Sequence, residues 1–565
     1  MKDKIHFKKE KKMKKILALL LSTLMLCTCL FSCEELLFDE DYTGDSIQGG
    51  LFDNLFEDDT NETEKNNTTN KATNNSTETK EYGKETFTAV VPVDTLDFDG
   101  EPLTIIHRDA YNLQREWYSV IAEDELSEMI LIRNELVSEK LNIEVNYMPL
   151  ASSDYSDCLD LFTAAIREDV DTGAHDYDIV ANYAYAGASV AVRDYIADLN
   201  DKEVFPYFEF SLPCWNQAMV RNTMANGQLF YITGDINLST FDKSIVMFLN
   251  KTMYNEKKSN TDPDDLQDIA IEGTWDYEDL YRWTTVFEDT NGKSGAQHDD
   301  FYGISTGFGS IPTDALPYAW DLEYLTEEPD GTHSYNIVGN QKIENAIVKA
   351  QNLLNGAISA GVNNANDTGA CSLGGYSEPI AHFASDKCVF AIHLLYASKE
   401  DNDIIRSMGS DFGLLPMPKY NESQENYGTT AHDSYTLMTV IDHSESSIPT
   451  RGEEISAYLQ YSTEETYTNI RGYYVNKIVM PKYFIPDDPN GSHSKSIEIF
   501  QMIADSIEFD FLSVYAPQLN GVLNSCWRNV VTGDSTATTA QAAYEAEQTN
   551  FDTALDEVDS WLGLK

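Results

Sequence analysis

Cys33 is the residue whose surroundings most clearly prescribe a chemistry. It follows Leu30-Phe31-Ser32 at the end of an apolar run, 16–32, that opens directly after Lys14 and Lys15. A positive start, an apolar stretch and a small residue before the cut are what an exporter and its peptidase require. A Leu three before a cysteine and a small residue one before it form the box after which bacterial peptidases cut and the thiol is acylated. Leu30 and Ser32 meet that requirement, whereas Cys27 and Cys29 fit less well because Leu26 and Thr28 precede them. The run is short of the ~20 apolar residues of a membrane span, so removal of residues 1–32 and a lipid anchor on Cys33 are expected. Two or more acyl chains would hold the protein stably at a bilayer, each buried methylene adding ~0.8 kcal/mol. Met13, directly before Lys14 and Lys15, also makes a normal start, which leaves Met1 and Met13 as alternative first residues.

A second pattern, Gly303-Ile304-Ser305-Thr306-Gly307, matches the G-x-S-x-G elbow that presents a serine nucleophile. An elbow needs a strand before it, a helix after it, and a later acid and histidine. His393 and His432 are available, but Gly307-Phe308-Gly309-Ser310-Ile311-Pro312 is a poor helix start, and in a chain with 31 glycines the match arises readily by chance. No H-E-x-x-H zinc site occurs, and no phosphate-binding glycine loop follows a strand. Neither a metal nor a cofactor is therefore expected. Paired carboxylates for glycoside hydrolysis are defined by their spacing in the fold, which a sequence with 94 acids does not give. The expectation is a protein that is not an enzyme, with a surface hydrolase as the least favoured alternative.

The scaffold for these groups begins after a polar stretch. From Glu34 to about Tyr82 the chain is rich in Asn, Thr, Asp, Glu and Lys and has few apolar residues besides Leu51, Phe52, Leu55 and Phe56. Such a segment buries too little surface to offset its chain entropy, and about 50 residues of coil reach ~40 Å. Residues 33–84 are accordingly expected to form a disordered tether. From Pro102 the pattern becomes β-α-β-α-β: a β-rich run at 103–107, helical spacing at 123–140, alternation at 143–148, a helix at 155–166 and a buried strand at 177–181. That series implies a parallel sheet with helices on both faces, and ligands bind such sheets beyond the carboxyl ends of the strands. Arg108 to Tyr111 and Asn182 to Tyr185 stand at those ends.

At 565 residues with 42% hydrophobic content the chain is too long for one ordinary domain. Its formal charge is −55, and loss of residues 1–32, which carry eight Lys against Asp3 and Glu10, takes the mature form to about −61. Such a surface repels phosphate backbones, so nucleic acid is excluded as a partner and anionic ligands are disfavoured, while neutral and cationic ligands stay open. Cys158, Cys214, Cys371, Cys388 and Cys526 make an odd set without C-x-x-C spacing. Most are read as small buried apolar residues; Cys371 and Cys388 form the nearest candidate pair for a disulfide.

Several later stretches, in order, are similar to the extracellular solute-binding proteins of bacterial ABC importers. Gly227-Gln228-Leu229-Phe230-Tyr231-Ile232-Thr233-Gly234-Asp235 resembles the region entering the hinge. Met247-Phe248-Leu249-Asn250-Lys251 resembles the strand that opens the second lobe. Gly273-Thr274-Trp275-Asp276-Tyr277-Glu278-Asp279-Leu280 resembles the family's Thr-Trp-Asp-Glu-Leu helix start, for which Thr274 is the expected cap. Phe383-Ala384-Ser385-Asp386-Lys387-Cys388-Val389-Phe390-Ala391 and Phe412-Gly413-Leu414-Leu415-Pro416-Met417-Pro418 follow, the first departing at Asp386 and Ala391, the second resembling the strand that returns to the first lobe.

The resemblance implies an α/β, two-lobed periplasmic-binding-protein-like fold of type II. Each lobe is a mostly parallel sheet flanked by helices, with a hinge and an interlobe cleft; residues 85–238 and 411–470 would form one lobe, 239–410 and 471–565 the other. It further implies a lipoprotein on the extracytoplasmic face of the cell membrane. That protein, a monomer, would capture a carbohydrate, an oligosaccharide for preference, and deliver it to ABC permease subunits. A peptide or polyamine is the alternative ligand. Sugars pair apolar faces with hydroxyls, so their sites pair aromatic platforms with planar hydrogen-bonding side chains. Tyr183, Tyr185, Trp215 and Tyr396 adjoin loops, Trp320 and Trp527 stand where the family often puts stacking aromatics, and Arg108 and Asp235 could take hydroxyls.

Overall fold

The computed structural model describes residues 88–565 except 109–115, 120–123, 151–156, 189, 287–300, 307–309, 355–358, 361–377, 399–404, 406–407, 443–450, 476–492 and 520. Cys33, the leader at 1–32, the tether at 33–84 and Tyr111 lie outside the described residues, as does the side chain of Tyr396.

The β-α-β-α-β series is present. Strands β1 (Glu101–Arg108), β2 (Ile143–Leu150) and β3 (Ile179–Tyr183) alternate with helices α1 (Glu125–Leu141) and α2 (Cys158–Thr172). Local chemistry sets the ends of α1: Asp124 accepts from the Ser127 amide, and Asn142 closes the helix in the left-handed region at φ 49°. The central strand β1 pairs in parallel with β2 and β3, and Leu103, Ile105 and Ile106 are fully buried, as a parallel strand covered on both faces demands. The helix after Trp275 is capped by Asp276, whose Oδ1 accepts from the Glu278 and Asp279 amides, and not by Thr274, which bonds back to the Ile269 carbonyl.

Two open sheets share one plan. The first has the order β11-β3-β1-β2, with β11 (Thr436–Val440) antiparallel to β3; the second has the order β10-β4-β9-β5-β8. In the second, β5 (Tyr302–Thr306) pairs in parallel with β8 (Ser359–Ala360) and β9 (Cys388–Leu394). Antiparallel to β9 lies β4 (Ile245–Asn250), and β10 (Phe412–Leu415) is the strand beyond it. Each sheet thus carries three parallel strands in the order second, first, third, and beside the third an antiparallel strand delivered by chain arriving from the other sheet. A small hairpin, β6 (Leu325–Glu327) and β7 (His333–Tyr335), stands apart. The return to the first sheet comes later than the expected boundary at 411. β10 is still an edge strand of the second sheet, and the chain leaves only through Pro416 and Pro418, which cannot extend a ladder.

Three passages join the two sheets. The first, 233–244, and the second, 416–435, pair with each other: Ser244 bridges Ala431, the Ile245 amide donates to the Thr430 carbonyl at 3.0 Å, and His432 donates to Lys243 at 2.8 Å. The third follows helix α3 (Arg451–Glu465), which packs on α1, and a π-helical turn, Thr466–Arg471. Beyond it, helix α4 (His493–Asp505) packs against β10 of the second sheet, and Tyr474 between them donates to the Asp242 carboxylate of the first passage. The C-terminal helix α5 (Ala540–Trp561) lies on the β6-β7 hairpin, yet its last ring, Trp561, meets Phe230 of the first lobe at 5.2 Å.

Candidate binding site

A cavity of about 470 Å³ opens between the carboxyl end of β3 and elements of the second lobe. It falls in the range of small-molecule sites. Its first-lobe wall is Tyr185, carried on the one-turn helix Ala184–Gly187 that follows β3. The amides of Ala184 and Tyr185 donate to the carbonyls of Tyr435 and Asp433, both at 3.0 Å, so the second passage fixes this turn. Thr430 to Asp433 of that passage form the back of the cavity. The opposite wall combines Asp314 and Tyr318, one helical turn apart on Ser310–Ala319, with the segment from Leu512 to Arg528.

The second-lobe wall is braced by charge and hydrogen bonds. Arg528 grips Asp314 through Nη2 at 2.6 and 2.7 Å and Nε at 3.0 Å, the fork geometry that makes guanidinium–carboxylate pairs strong. Trp527 Nε1 donates to the Thr313 carbonyl at 2.7 Å. Both residues sit on a π-helical turn, Asn524–Arg528, whose wider winding places consecutive side chains against one neighbouring helix. Burial raises the Asp314 carboxyl, Arg528 opposes that, and the negative charge of Asp433 adds to it. The Tyr318 hydroxyl donates to Asp510 at 3.0 Å, and burial pushes this phenol well above its ordinary value.

Of the residues expected to hold a ligand, the structure brings Tyr185 and Trp527 to this cavity. Trp527 is only 1% exposed, so it is a wall buttressed from behind and not an open platform. Its buttress is Trp320, wholly buried and edge-on to it at 6.3 Å and 90°. Arg108 is also buried: its guanidinium lies 4.1 Å over the Tyr183 ring and donates to the Tyr435 carbonyl at 3.4 Å, tying the end of β1 to the second passage. Tyr183 is occupied by that stacking. Trp215 is a core residue, edge-on to Phe208 and Phe210, with Nε1 donating to Gln460 at 2.8 Å.

Asp235 borders a different, smaller cavity of about 260 Å³ behind the hinge, with Arg221, Asn237, Arg471 and Glu508. There it pairs with Arg471 at 3.2 Å, and burial pushes its carboxyl up to about 6 in spite of that partner. Tyr318, Asp314, Asp433 and Arg528 went unrecognised from sequence. The signal for two of them was present in the i, i+4 spacing of Asp314 and Tyr318 just after a strand of the second sheet.

The G-x-S-x-G pattern has another cause. A helix, Ser310–Ala319, does follow β5, against the poor start read from its sequence. Ser305, however, lies inside β5 with no exposed surface, in register with Ala391 on one side and Ala360 on the other, so it makes no elbow. Gly303 answers to packing: a Cβ there would lie 2.2 Å from the Thr284 carbonyl oxygen. Among the described residues no cluster of His, Cys, Asp and Glu could hold a metal, and no helix is long and apolar enough to cross a membrane. Cys158, Cys214, Cys388 and Cys526 are all buried, and Cys371 lies outside the described residues.

No protein-family model and no curated protein matches the chain. Solved structures do. An ABC substrate-binding protein from Listeria monocytogenes in complex with cycloalternan is 11% identical, with 83% of this chain and all of that one covered and a TM-score of 0.46. The GacH receptor of Streptomyces glaucescens, solved unliganded and with acarbose, is 14% identical over 80% of this chain and 99% of its own, with a TM-score of 0.46. A maltose/maltodextrin-binding MalE domain from Bdellovibrio bacteriovorus bound to maltotriose is 13% identical over 80% of this chain and all of its own, again with a TM-score of 0.46.

Proposed function

We propose that the protein is a solute-binding receptor, anchored through Cys33 on the extracytoplasmic face of the membrane, that captures a carbohydrate in the cleft and delivers it to the permease of an ABC importer. The observation that carries this reading is the position of the 470 Å³ cavity. Tyr185 contributes from the first lobe, Asp314, Tyr318 and Arg528 from the second, and the passage between the lobes closes the back. A ligand touching both walls binds the closed form better than the open form, and that difference in affinity is what drives closure. Three passages form the kind of hinge around which such closure occurs. The half-buried Tyr185 and Tyr318, beside acids and the Asn524 amide, suit the apolar faces and hydroxyls of sugars.

A thermal-shift screen of the soluble form, from about Lys84, against mono- and oligosaccharides, peptides and polyamines tests the reading. A ligand at 100 times its Kd adds ~2.7 kcal/mol to stability. A shift with one saccharide class, recovered unchanged, supports it. A shift with peptides or polyamines alone moves the assignment to that ligand, and a consumed saccharide makes the protein a hydrolase.

A further inference from the structure

His432 lines the cavity from the second passage, and its side chain is 24% exposed. Its backbone is fixed, because the amide donates to the Lys243 carbonyl at 2.8 Å. The ring is fixed as well: Nδ1 lies 3.0 Å from the Ser434 hydroxyl and 3.1 Å from a carboxylate oxygen of Asp433. A carboxylate only accepts hydrogen bonds, so the proton of the neutral ring belongs on Nδ1 and Nε2 carries the lone pair. Among the described residues Nε2 has no hydrogen-bond partner. Arg528 offers the complement. Its Nε and Nη2 are taken by Asp314 at 2.6 to 3.0 Å, while Nη1 has no hydrogen-bond partner among the described residues. The two side chains are neighbours through Asp314, since the imidazole of His432 lies within electrostatic reach of the carboxylate that Arg528 holds.

We propose, building on the carbohydrate reading, that His432 determines specificity in the cleft: its Nε2 accepts a hydrogen bond from one hydroxyl of a neutral saccharide while Arg528 Nη1 donates to another of the ligand's oxygens. A hydroxyl both donates and accepts, and the cavity presents one acceptor and one donor that the protein has already oriented. Carbonyl, ether and carboxylate oxygens satisfy Arg528 and leave Nε2 unmet. An ammonium group donates to Nε2 but meets the guanidinium, and the carboxylates that would attract it are engaged, Asp314 by Arg528 and Asp433 by His432 itself. Closure removes water from Nε2, and an acceptor left unpaired there costs more than the bond contributes, so analogues without the hydroxyl are rejected. Asp433 and Ser434 act through the ring as positioning residues. Because His432 lies on the second passage and Arg528 on the second lobe, the hydroxyl is read where the lobes meet.

The test takes the saccharide with the largest thermal shift, from a panel of maltose, cellobiose, lactose, xylobiose, raffinose and their monosaccharides, together with its singly deoxygenated and deoxyfluoro analogues. Each is titrated calorimetrically into wild type, His432→Ala and His432→Gln at mildly alkaline pH, where an ordinary imidazole is neutral. In the wild type one position should lose about tenfold in affinity on deoxygenation and as much on fluorination, because fluorine cannot donate. His432→Ala should bind the parent sugar about tenfold more weakly and no longer distinguish it from those two analogues. His432→Gln, whose amide oxygen can stand in for Nε2, should recover part of the loss, and urea midpoints of all three proteins separate a lost contact from a lost fold. Fluorine restoring the affinity lost on deoxygenation would make the protein group a donor and overturn the assignment. Unchanged affinity in His432→Ala would also overturn it, and both results leave the carbohydrate reading standing. Absence of binding by every saccharide of the panel would overturn the carbohydrate reading and this inference with it.

Discussion

Arg471, the last residue of the π-helical turn that leads into the third passage, reaches Asp235 on the first, Nη1 to Oδ2 at 3.2 Å, so one ion pair ties the start of one crossing to another. Burial outweighs the guanidinium and raises the carboxyl from an ordinary 3.8 to about 6. An acid whose pKa is higher folded than unfolded binds its proton more tightly in the native state. Its contribution to stability is therefore fullest at low pH and declines as pH rises between about 4 and 6. The wild type should lose up to ~3 kcal/mol relative to Asp235→Asn across that window. Urea melts of both proteins at pH 4, 5, 6 and 7 check the slope; a constant difference would show that Asp235 does not titrate there.

Trp527 and Trp320 belong to the body of the second lobe. Trp527 donates Nε1 to the Thr313 carbonyl and has Trp320 edge-on behind it. Trp527→Ala should cost ~3–5 kcal/mol of stability, the usual range for a buried large aromatic. Trp527→Phe keeps a ring but leaves a buried carbonyl without its donor, at ~1–3 kcal/mol. Denaturant midpoints measure both, and a variant that loses ligand affinity at unchanged stability would restore Trp527 to the role of a platform.

Tyr185 behaves in the opposite way. It is half-buried on a single turn whose backbone is held by the second passage, so truncation leaves the backbone bonds of that turn in place. Tyr185→Ala should leave the melting temperature of the unliganded protein within a degree or two and weaken binding of the ligand found in the screen by roughly three- to tenfold, the worth of one aromatic contact. Calorimetry against the wild type reads the difference.

The parallel half of the first sheet was legible because its code is local. Buried runs at 103–107 and 177–181, helical spacing between them, and turn residues at their ends suffice to order β1, α1, β2, α2 and β3. Burial of individual aromatics was not legible in the same way. Trp320 and Trp215 adjoin loops in sequence just as Tyr185 does, yet both are sealed by packing: Trp320 by rings from distant segments, Trp527 and Tyr277, and Trp215 by the nearby Phe208 and Phe210 together with Gln460, 245 residues on. Arg108 stood correctly at a strand end, but its partner carbonyl comes from Tyr435, more than 300 residues on. The cleft pair of Asp314 and Arg528 spans 214 residues, a separation at which sequence spacing carries no information.

Cys33 is the acceptor expected for the lipid anchor. In a bacterial host fed a labelled fatty acid, the full chain should carry the label and sediment with membranes, whereas Cys33→Ser should be unlabelled. The acyl chains expected on Cys33 would supply the membrane affinity, so the variant should appear in the soluble or secreted fraction. Label retained by Cys33→Ser would move the acceptor to Cys27 or Cys29.

Gly428 ties the hinge to the cleft through space that no side chain can occupy. A Cβ at this position on the second passage would lie 2.1 Å from the carbonyl oxygen of Tyr318, and backbone cannot yield as a flexible side chain does. Gly428→Ala must push the Ser310–Ala319 helix away from the passage, and with it Tyr318 and Asp314 on the cavity wall. Overpacking of this kind costs ~1–3 kcal/mol. The displaced wall should also weaken ligand binding by more than the loss of Tyr185 does, because two lining residues move together while the passage that carries Asp433 stays paired to β3 through β11. Paired measurements of the urea midpoint and the Kd test this. A loss of stability at unchanged affinity would place the Gly428 contact outside the mechanics of the cleft.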